Sequence, residues 1–185
     1  YSFKEPVVLT CANIRKEKNH RRQLDAMKLL KERGINFTWI NIGSTADVAL
    51  TNDLLESARE YGLQDNFLLL GPKENPYPYI ARANVVAVLS NYESWSMVIT
   101  ESKILGTPVI ATKTSGALEQ IEDSKTGVLT EFSVESIAEK LEHFLKSPQL
   151  QYTIRKNINN FDNTQQILDS FYTLLRIQTS VIHPS

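Results

Sequence analysis

Residues 85–112 read Val85-Val86-Ala87-Val88-Leu89-Ser90-Asn91-Tyr92-Glu93-Ser94-Trp95-Ser96-Met97-Val98-Ile99-Thr100-Glu101-Ser102-Lys103-Ile104-Leu105-Gly106-Thr107-Pro108-Val109-Ile110-Ala111-Thr112. The first five are apolar and mostly β-branched, the length and composition of a strand. A polar loop follows, then a run of helical composition from Ser96 to Leu105. Gly106 and Pro108 stop that run, because glycine takes the left-handed conformation that closes a helix and proline cannot continue one. Pro108–Thr112 is again a strand. Strand, loop, helix and strand in this order are the unit from which parallel sheets are wound.

Outward from this unit the same alternation continues. Val7–Ala12, Phe37–Ile42 and Phe67–Leu70 have strand character. Between them, Arg21–Arg33 spaces Leu24, Met27, Leu30 and the stems of Lys28 and Lys31 as one helical face, with Gly34 as its stop. Asp47–Tyr61 repeats the pattern and ends at Gly62; Tyr77–Ala83 predicts a shorter helix. The pattern changes after Gly127–Thr130. Ser133 opens a helix to Lys146 carrying Ile137, Leu141, Phe144 and Leu145, and Pro148 opens another to about Asn157. Asn157–Asn163 reads as a break, followed by a last helix from about Thr164 to Ile177 with Ile167, Phe171, Leu174 and Leu175 apolar. The expectation is an α/β fold with a parallel sheet covered on both faces.

Composition narrows the function. A chain of 185 residues with 42% hydrophobic and 22% charged residues is globular rather than disordered. The net charge of −1 gives no general field for nucleic acid. Cys11, the single cysteine, excludes an internal disulfide and a cysteine zinc site, and favours a reducing, cytoplasmic setting. The longest apolar run, Val85–Leu89, is far below the roughly 20 residues of a membrane helix. The sequence starts at Tyr1 rather than Met, so it is expected to be a piece of a longer protein.

A parallel α/β sheet binds ligands beyond the C-terminal ends of its strands, so the loops there carry the candidates. After the first strand, Asn13–Arg22 holds Arg15, Lys16, Lys18, Arg21 and Arg22 just before a helix start, a setting suited to phosphate or diphosphate. A solvated helix start is an equal reading of that loop alone. Neither the dinucleotide fingerprint nor a P-loop is present. After the fourth strand, Glu93 precedes a helix start whose free amides would face a ligand, and Glu101 lies further along the same helix. After the fifth, the small residues of Thr112-Lys113-Thr114-Ser115-Gly116-Ala117-Leu118-Glu119 let backbone approach a ligand closely, although a plain turn is the simpler reading. No Asp-x-Asp occurs, and His20, His143 and His183 are scattered, so no metal site is expected.

Ser90–Glu101 followed by Gly106–Thr112 resembles the E-x7-E region of the retaining group 1 (family 4) glycosyltransferases. Ser115-Gly116-Ala117-Leu118-Glu119 and Thr126-Gly127-Val128-Leu129 resemble the segments that follow there. Lys18-Asn19 resembles the lysine-glycine or lysine-asparagine pair after the first strand, and Phe67–Gly71 the strand ending in glycine near the base. The match runs in order from about Pro6 to Asn160. It implies a Rossmann-like, doubly wound, three-layer αβα domain, the C-terminal half of a GT-B fold. The boundaries it suggests are residues 1–160 for the nucleotide-sugar-binding domain and 161–185 for a C-terminal helix and tail. Phe161-Asp162-Asn163 loosely matches the start of the segment that crosses back to the N-terminal acceptor domain.

The resemblance also implies roles. Glu101 would accept bonds from ribose hydroxyls, Glu93 would contact the donor sugar, and Lys18 would neutralise the diphosphate together with the backbone at Trp95, Ser96 and Met97. Gly71 would border the base, and Ser115 and Gly116 would lie against the donor. Asn13 stands where the family has a phosphate-binding arginine, leaving Arg15 or Lys16 as substitutes. The usual glycines of the loop are Ser94 and Ser96, and the first of the glycine pair is Ser115. The implied reaction is retaining transfer from a nucleotide diphosphate sugar to an acceptor hydroxyl in polysaccharide or glycoconjugate synthesis, without a metal or other cofactor. The acceptor would be a saccharide or a lipid-linked one, with peripheral contact at the inner membrane face through the basic run Arg15–Arg22. Alternative readings are a non-catalytic nucleotide-binding module of this fold and another GT-B enzyme, such as a sugar-nucleotide epimerase. A glycoside hydrolase is least favoured, because a basic diphosphate-type loop has no task in one.

Overall fold

The computed structural model describes residues 5–160. Its strands are β1 (Val7–Cys11), β2 (Thr38–Ile42), β3 (Phe67–Leu69), β4 (Val85–Val88), β5 (Val109–Thr112) and β6 (Val128–Thr130). The described helices are α1 (His20–Glu32), α2 (Val48–Glu60), α3 (Tyr77–Arg82), α4 (Met97–Ile104), α5 (Ser115–Gln120), α6 (Val134–Lys146) and α7 (Pro148–Asn160). A single 3-10 turn, Lys16–Lys18, precedes α1. All six strands are parallel, in the order β3-β2-β1-β4-β5-β6.

Alternation along each strand divides the core between two faces. Val8, Trp39, Val85, Ala87 and Ile110 point to one side, where they meet Leu24 and Met27 of α1, Leu54 of α2, Leu141 and Phe144 of α6 and Ile154 of α7. Leu9, Ile40, Val86, Val109 and Ala111 point to the other, against Ile80 of α3, Ile99 of α4 and Ala117 of α5. The sheet is thus the middle of three layers, as the alternation of strand and helix signals requires. The chain winds outward from β1 to β3, then returns to place β4 beside β1. That reversal opens a crevice between the C-terminal ends of β1 and β4, the position where this architecture holds ligands.

Several local expectations need correction. A sixth strand, β6, follows Gly127. At three residues it is too short for a periodicity, and it exists through pairing of Ile110 with Val128 and Thr112 with Thr130. The stretch read as a plain turn is the helix α5, started by Thr114, whose side-chain oxygen accepts from the Ala117 amide at 3.3 Å. The break expected at Asn157 comes later: α7 runs to Asn160, because Ile154 and Ile158, one turn apart, are both buried and outweigh the weak helix preference of asparagine. Lys28 and Lys31 do not share the buried face of α1. Both are exposed; Lys28 Nζ lies 4.8 Å from the centre of the Tyr61 ring and Lys31 bonds the Gly62 carbonyl. The helix expected over 164–177, with Phe161, Phe171 and Leu175, and His183 fall outside the described residues.

Candidate functional site

The crevice between β1 and β4 is a cleft of about 190 Å³ whose lining includes Cys11, Lys18, Ser90, Glu93, Ser96 and Met97. Four of these, Lys18, Glu93, Ser96 and Met97, are the ones that the resemblance assigns to donor contacts. A larger groove of about 440 Å³, lined by Val7, Leu9, Ile40 and Tyr79 among others, contains none of the sequence-predicted site residues.

Lys18 closes the 3-10 turn, in which its own amide donates to the Arg15 carbonyl at 3.1 Å. Asn19 follows with φ of 58°, a left-handed conformation that asparagine tolerates better than most residues, and so turns the chain into α1. The loop after β4 rests on this turn: the Asn91 amide donates to the Glu17 carbonyl at 2.9 Å, and the side-chain amides of Asn19 and Asn91 pair at 3.0 Å. Lys18 Nζ consequently reaches Glu93 Oε1 at 2.5 Å. Ser90 Oγ donates to the same oxygen at 2.9 Å. With both bonds on Oε1, Oε2 is the oxygen able to accept from a ligand. Glu93 is only 14% exposed at its side chain and Lys18 30%, so the pair is screened far less than a surface one.

Helix α5 holds Glu93 from behind. The Gly116 amide donates to the Glu93 carbonyl at 2.9 Å, and Ser115 Oγ donates to it at 3.2 Å. A Cβ on Gly116 would stand 2.7 Å from the Ser94 carbonyl carbon, so only glycine permits this approach. Ser96 is the N-cap of α4 without a side-chain cap bond. Its amide donates to Gln120 Oε1 at 2.9 Å, and its carbonyl accepts from Gln120 Nε2 at 2.9 Å. The Ser96 amide is therefore already engaged. By helix geometry the first-turn amides of Met97 and Val98 have no intrahelical acceptor and are the donors α4 offers at the cleft. The side chains of Tyr92 and Trp95, in the loop before α4, and of Met97, at its start, are exposed.

Glu101 sits one turn beyond Met97 and is half-buried. Met97 and Val98, one turn before it, line the cleft, whereas Glu101 itself is not among the lining residues; burial first, and the negative charge of Glu101 second, push the Cys11 thiol up to about 12. Asn13 is latched sideways, its Oδ1 accepting from the Ser44 amide at 2.8 Å. Arg15 is exposed and lies 3.9 Å from Glu17, apart from the Lys18–Glu93 pair. Gly71, at φ of 68°, lies two residues past β3 and outside the cleft lining, and its carbonyl accepts from the Gly43 amide at 3.2 Å. The basic run is divided rather than continuous. Arg21 bonds Ser57 and Tyr61 and neighbours Asp25 and Asp53, and Arg22 lies over the Phe132 ring.

Sequence reasoning missed Gln120 and Gln23, the two buried amides that brace this site. Gln23 had a signal: with Met27 and Leu30 it forms an i, i+4, i+7 series on the buried face of α1, and a polar group there demands partners. Among the described residues no group of three or more His, Cys, Asp or Glu is placed to hold a metal, and no helix is long and apolar enough to cross a membrane.

Residues 2–161 match the family described as Glycosyl transferases group 1. The chain is 28% identical over 180 residues to the N-acetylgalactosamine-N,N'-diacetylbacillosaminyl-diphospho-undecaprenol 4-alpha-N-acetylgalactosaminyltransferase of Campylobacter jejuni, covering 94% of this chain and 48% of that protein. It is 28% identical over 168 residues to the capsular polysaccharide biosynthesis glycosyltransferase CapM of Staphylococcus aureus, covering 86% and 43%. The chain thus spans about half the length of these curated relatives. Its fold resembles the crystal structure of the C-terminal domain of the group 1 glycosyl transferase LpcC from Francisella tularensis, with TM-score 0.76, 26% identity and 88% coverage of each chain.

Proposed function

This chain belongs to the group 1 glycosyl transferases and has the Rossmann-like, C-terminal half of the GT-B fold, and from that premise we propose that it is the donor-binding domain of a retaining glycosyltransferase. The domain takes a nucleotide diphosphate sugar, and the complete protein moves the sugar to an acceptor hydroxyl. The observation that carries this reading is the Lys18–Glu93 pair, 2.5 Å apart in the cleft at the strand-order reversal, beside the start of α4. As the glycosidic bond breaks, negative charge grows on the departing diphosphate. Lys18 and the first-turn amides of α4 are placed to stabilise that charge, the role a metal takes at other sites. Lys18 exchanges Glu93 for phosphate oxygen, and Glu93 turns to the donor-sugar hydroxyls. Glu101, one turn further along α4, takes the ribose hydroxyls. Gly71 marks the base side of the cleft, and Ser115 and Gly116 keep the Glu93 loop against the donor.

The acceptor and the other wall of the active site belong to an N-terminal domain, with residues 161–185 as the connecting segment. The name of the Campylobacter relative specifies a diphospho-undecaprenol acceptor, which supports a lipid-linked saccharide acceptor; contact at the cytoplasmic membrane face is part of the same proposal. Arg15 and Lys16, at the tip of the basic run, are the residues left to touch anionic lipid.

The test is a transfer assay of the full-length protein with UDP-, GDP- and ADP-sugars, together with nucleotide titration. Glu93→Ala is expected to abolish transfer while nucleotide binding persists. Binding with no transfer for any donor would favour the non-catalytic module, release of an epimerised sugar nucleotide would favour the epimerase, and efficient transfer by the 185 residues alone would overturn the half-enzyme reading.

A further inference from the structure

A chain of buried polar groups runs along the wall of the site: Thr10 and Gln23 line the cleft beside Lys18, and Trp39 lies behind them. Trp39 Nε1 donates to Thr10 Oγ1 at 3.0 Å, Thr10 Oγ1 donates to Gln23 Oε1 at 3.1 Å, and Gln23 Nε2 donates to the Lys18 carbonyl at 3.0 Å. The direction of the Gln23 bonds is set at the Lys18 end. A carbonyl can only accept, so the Gln23 NH2 group faces Lys18 and the Gln23 oxygen faces Thr10, whose hydroxyl donates to it. The indole N–H can only donate, so Trp39 uses the same Thr10 oxygen as its acceptor. The three side chains are 0%, 3% and 1% exposed for Trp39, Thr10 and Gln23, so water cannot substitute for any link.

The end of this chain falls on the residue whose placement matters most. The turn Lys16–Lys18 has one residue of each kind of hold: from above, the Asn91 amide binds the Glu17 carbonyl; from below, Gln23 binds the Lys18 carbonyl. Lysine is a flexible four-carbon stem, and its ammonium is directed only as well as its backbone is. We infer that Gln23 is a positioning residue for Lys18: oriented by Thr10 and Trp39, it locks the backbone of the turn so that the Lys18 ammonium is held at the cleft, beside Glu93, where a donor diphosphate is taken. This rests on the reading of Lys18 as the diphosphate-binding lysine.

Calorimetric titration of the 185-residue chain with UDP, GDP and ADP, and with the nucleoside of whichever binds, tests it. Gln23→Met keeps the volume and removes both bonds of the amide. The expected result is a loss of roughly tenfold in diphosphate affinity, the order carried by partners that orient a ligating group, with nucleoside affinity unchanged. In a Lys18→Ala background the same substitution is expected to add nothing. If Gln23→Met fails to fold, Thr10→Val cuts the chain one bond earlier and takes its place. Equal loss for diphosphate and nucleoside, full additivity with Lys18→Ala, or wild-type affinity each overturns the positioning role. Lys18→Ala with wild-type diphosphate affinity instead overturns the reading of Lys18. No binding by any of the three nucleotides overturns the donor reading and the role together.

Discussion

Gly116→Ala is the substitution that most directly probes how the site is held together. The added Cβ would lie 2.7 Å from the Ser94 carbonyl carbon, 2.8 Å from its oxygen and 2.8 Å from the Trp95 nitrogen. Ordinary contact begins near 3.4 Å, so α5 and the loop must separate by about 0.7 Å. All three atoms are backbone and cannot swing aside as a side chain would. Overpacking of this kind costs about 1–3 kcal/mol. The separation also stretches the 2.9 Å bond from the Gly116 amide to the Glu93 carbonyl, a further loss of about 1 kcal/mol. The total of about 2–4 kcal/mol lowers the melting temperature of a chain of this size by at least roughly 4–8 °C. Glu93 moves with its carbonyl, so nucleotide-sugar affinity is expected to fall as well. Gly34→Ala is the control: Gly34 has φ of 70° and nothing within 4 Å of its Cβ position, so it costs about 1 kcal/mol of backbone strain and leaves the site alone. Thermal melts and donor titrations of both variants make the comparison. A Gly116→Ala chain that melts and binds as wild type does would refute the argument that this close approach fixes Glu93.

Three other expectations concern the frame around the site. Burial, opposed by its bond to Asn41, holds His20 below the ordinary imidazole value of 6.5; the unfolded chain then binds more protons, so stability present above pH 6.5 is lost as pH falls below it, and melts from pH 7.5 to 5 should be flatter for His20→Gln than for wild type. The Cys11 thiol, pushed up to about 12 by burial and then Glu101, should react with a disulfide reagent at pH 8 at least about a hundredfold more slowly in the folded chain than in urea; equal rates would show an ionised, accessible thiol. Arg155 donates to the carbonyls of Gly106, Ala83 and Asn84 at 3.1–3.2 Å, tying α7 to the ends of α4 and α3. Arg155→Met should cost about 2–3 kcal/mol, read as a lower urea midpoint with unchanged slope, and an unchanged midpoint would count against that tie.

The sequence by itself determined the layered sheet, because burial on both faces imposes a pattern that single residues carry: β-branched runs of strand length, separated by helices with glycine stops. The unit from Val85 to Thr112 specified strand, site loop and helix in the right places, and Glu93, Lys18 and Glu101 were singled out by the family resemblance, because the charges alone left a solvated surface equally open. What the tertiary structure decided lay in contacts between distant segments. β6 exists only against β5, α5 takes shape where Thr114 caps it and Gly116 meets Ser94, and α7 persists through asparagines because Ile158 is buried. The same is true of the site's wiring. Lys18 and Glu93 are 75 residues apart, and Ser96 and Gln120 are 24 apart. Local propensity has no access to such pairings, since a hydrogen bond between two distant loops is selected by the fold that brings them within about 3 Å, not by the residues on either side of each.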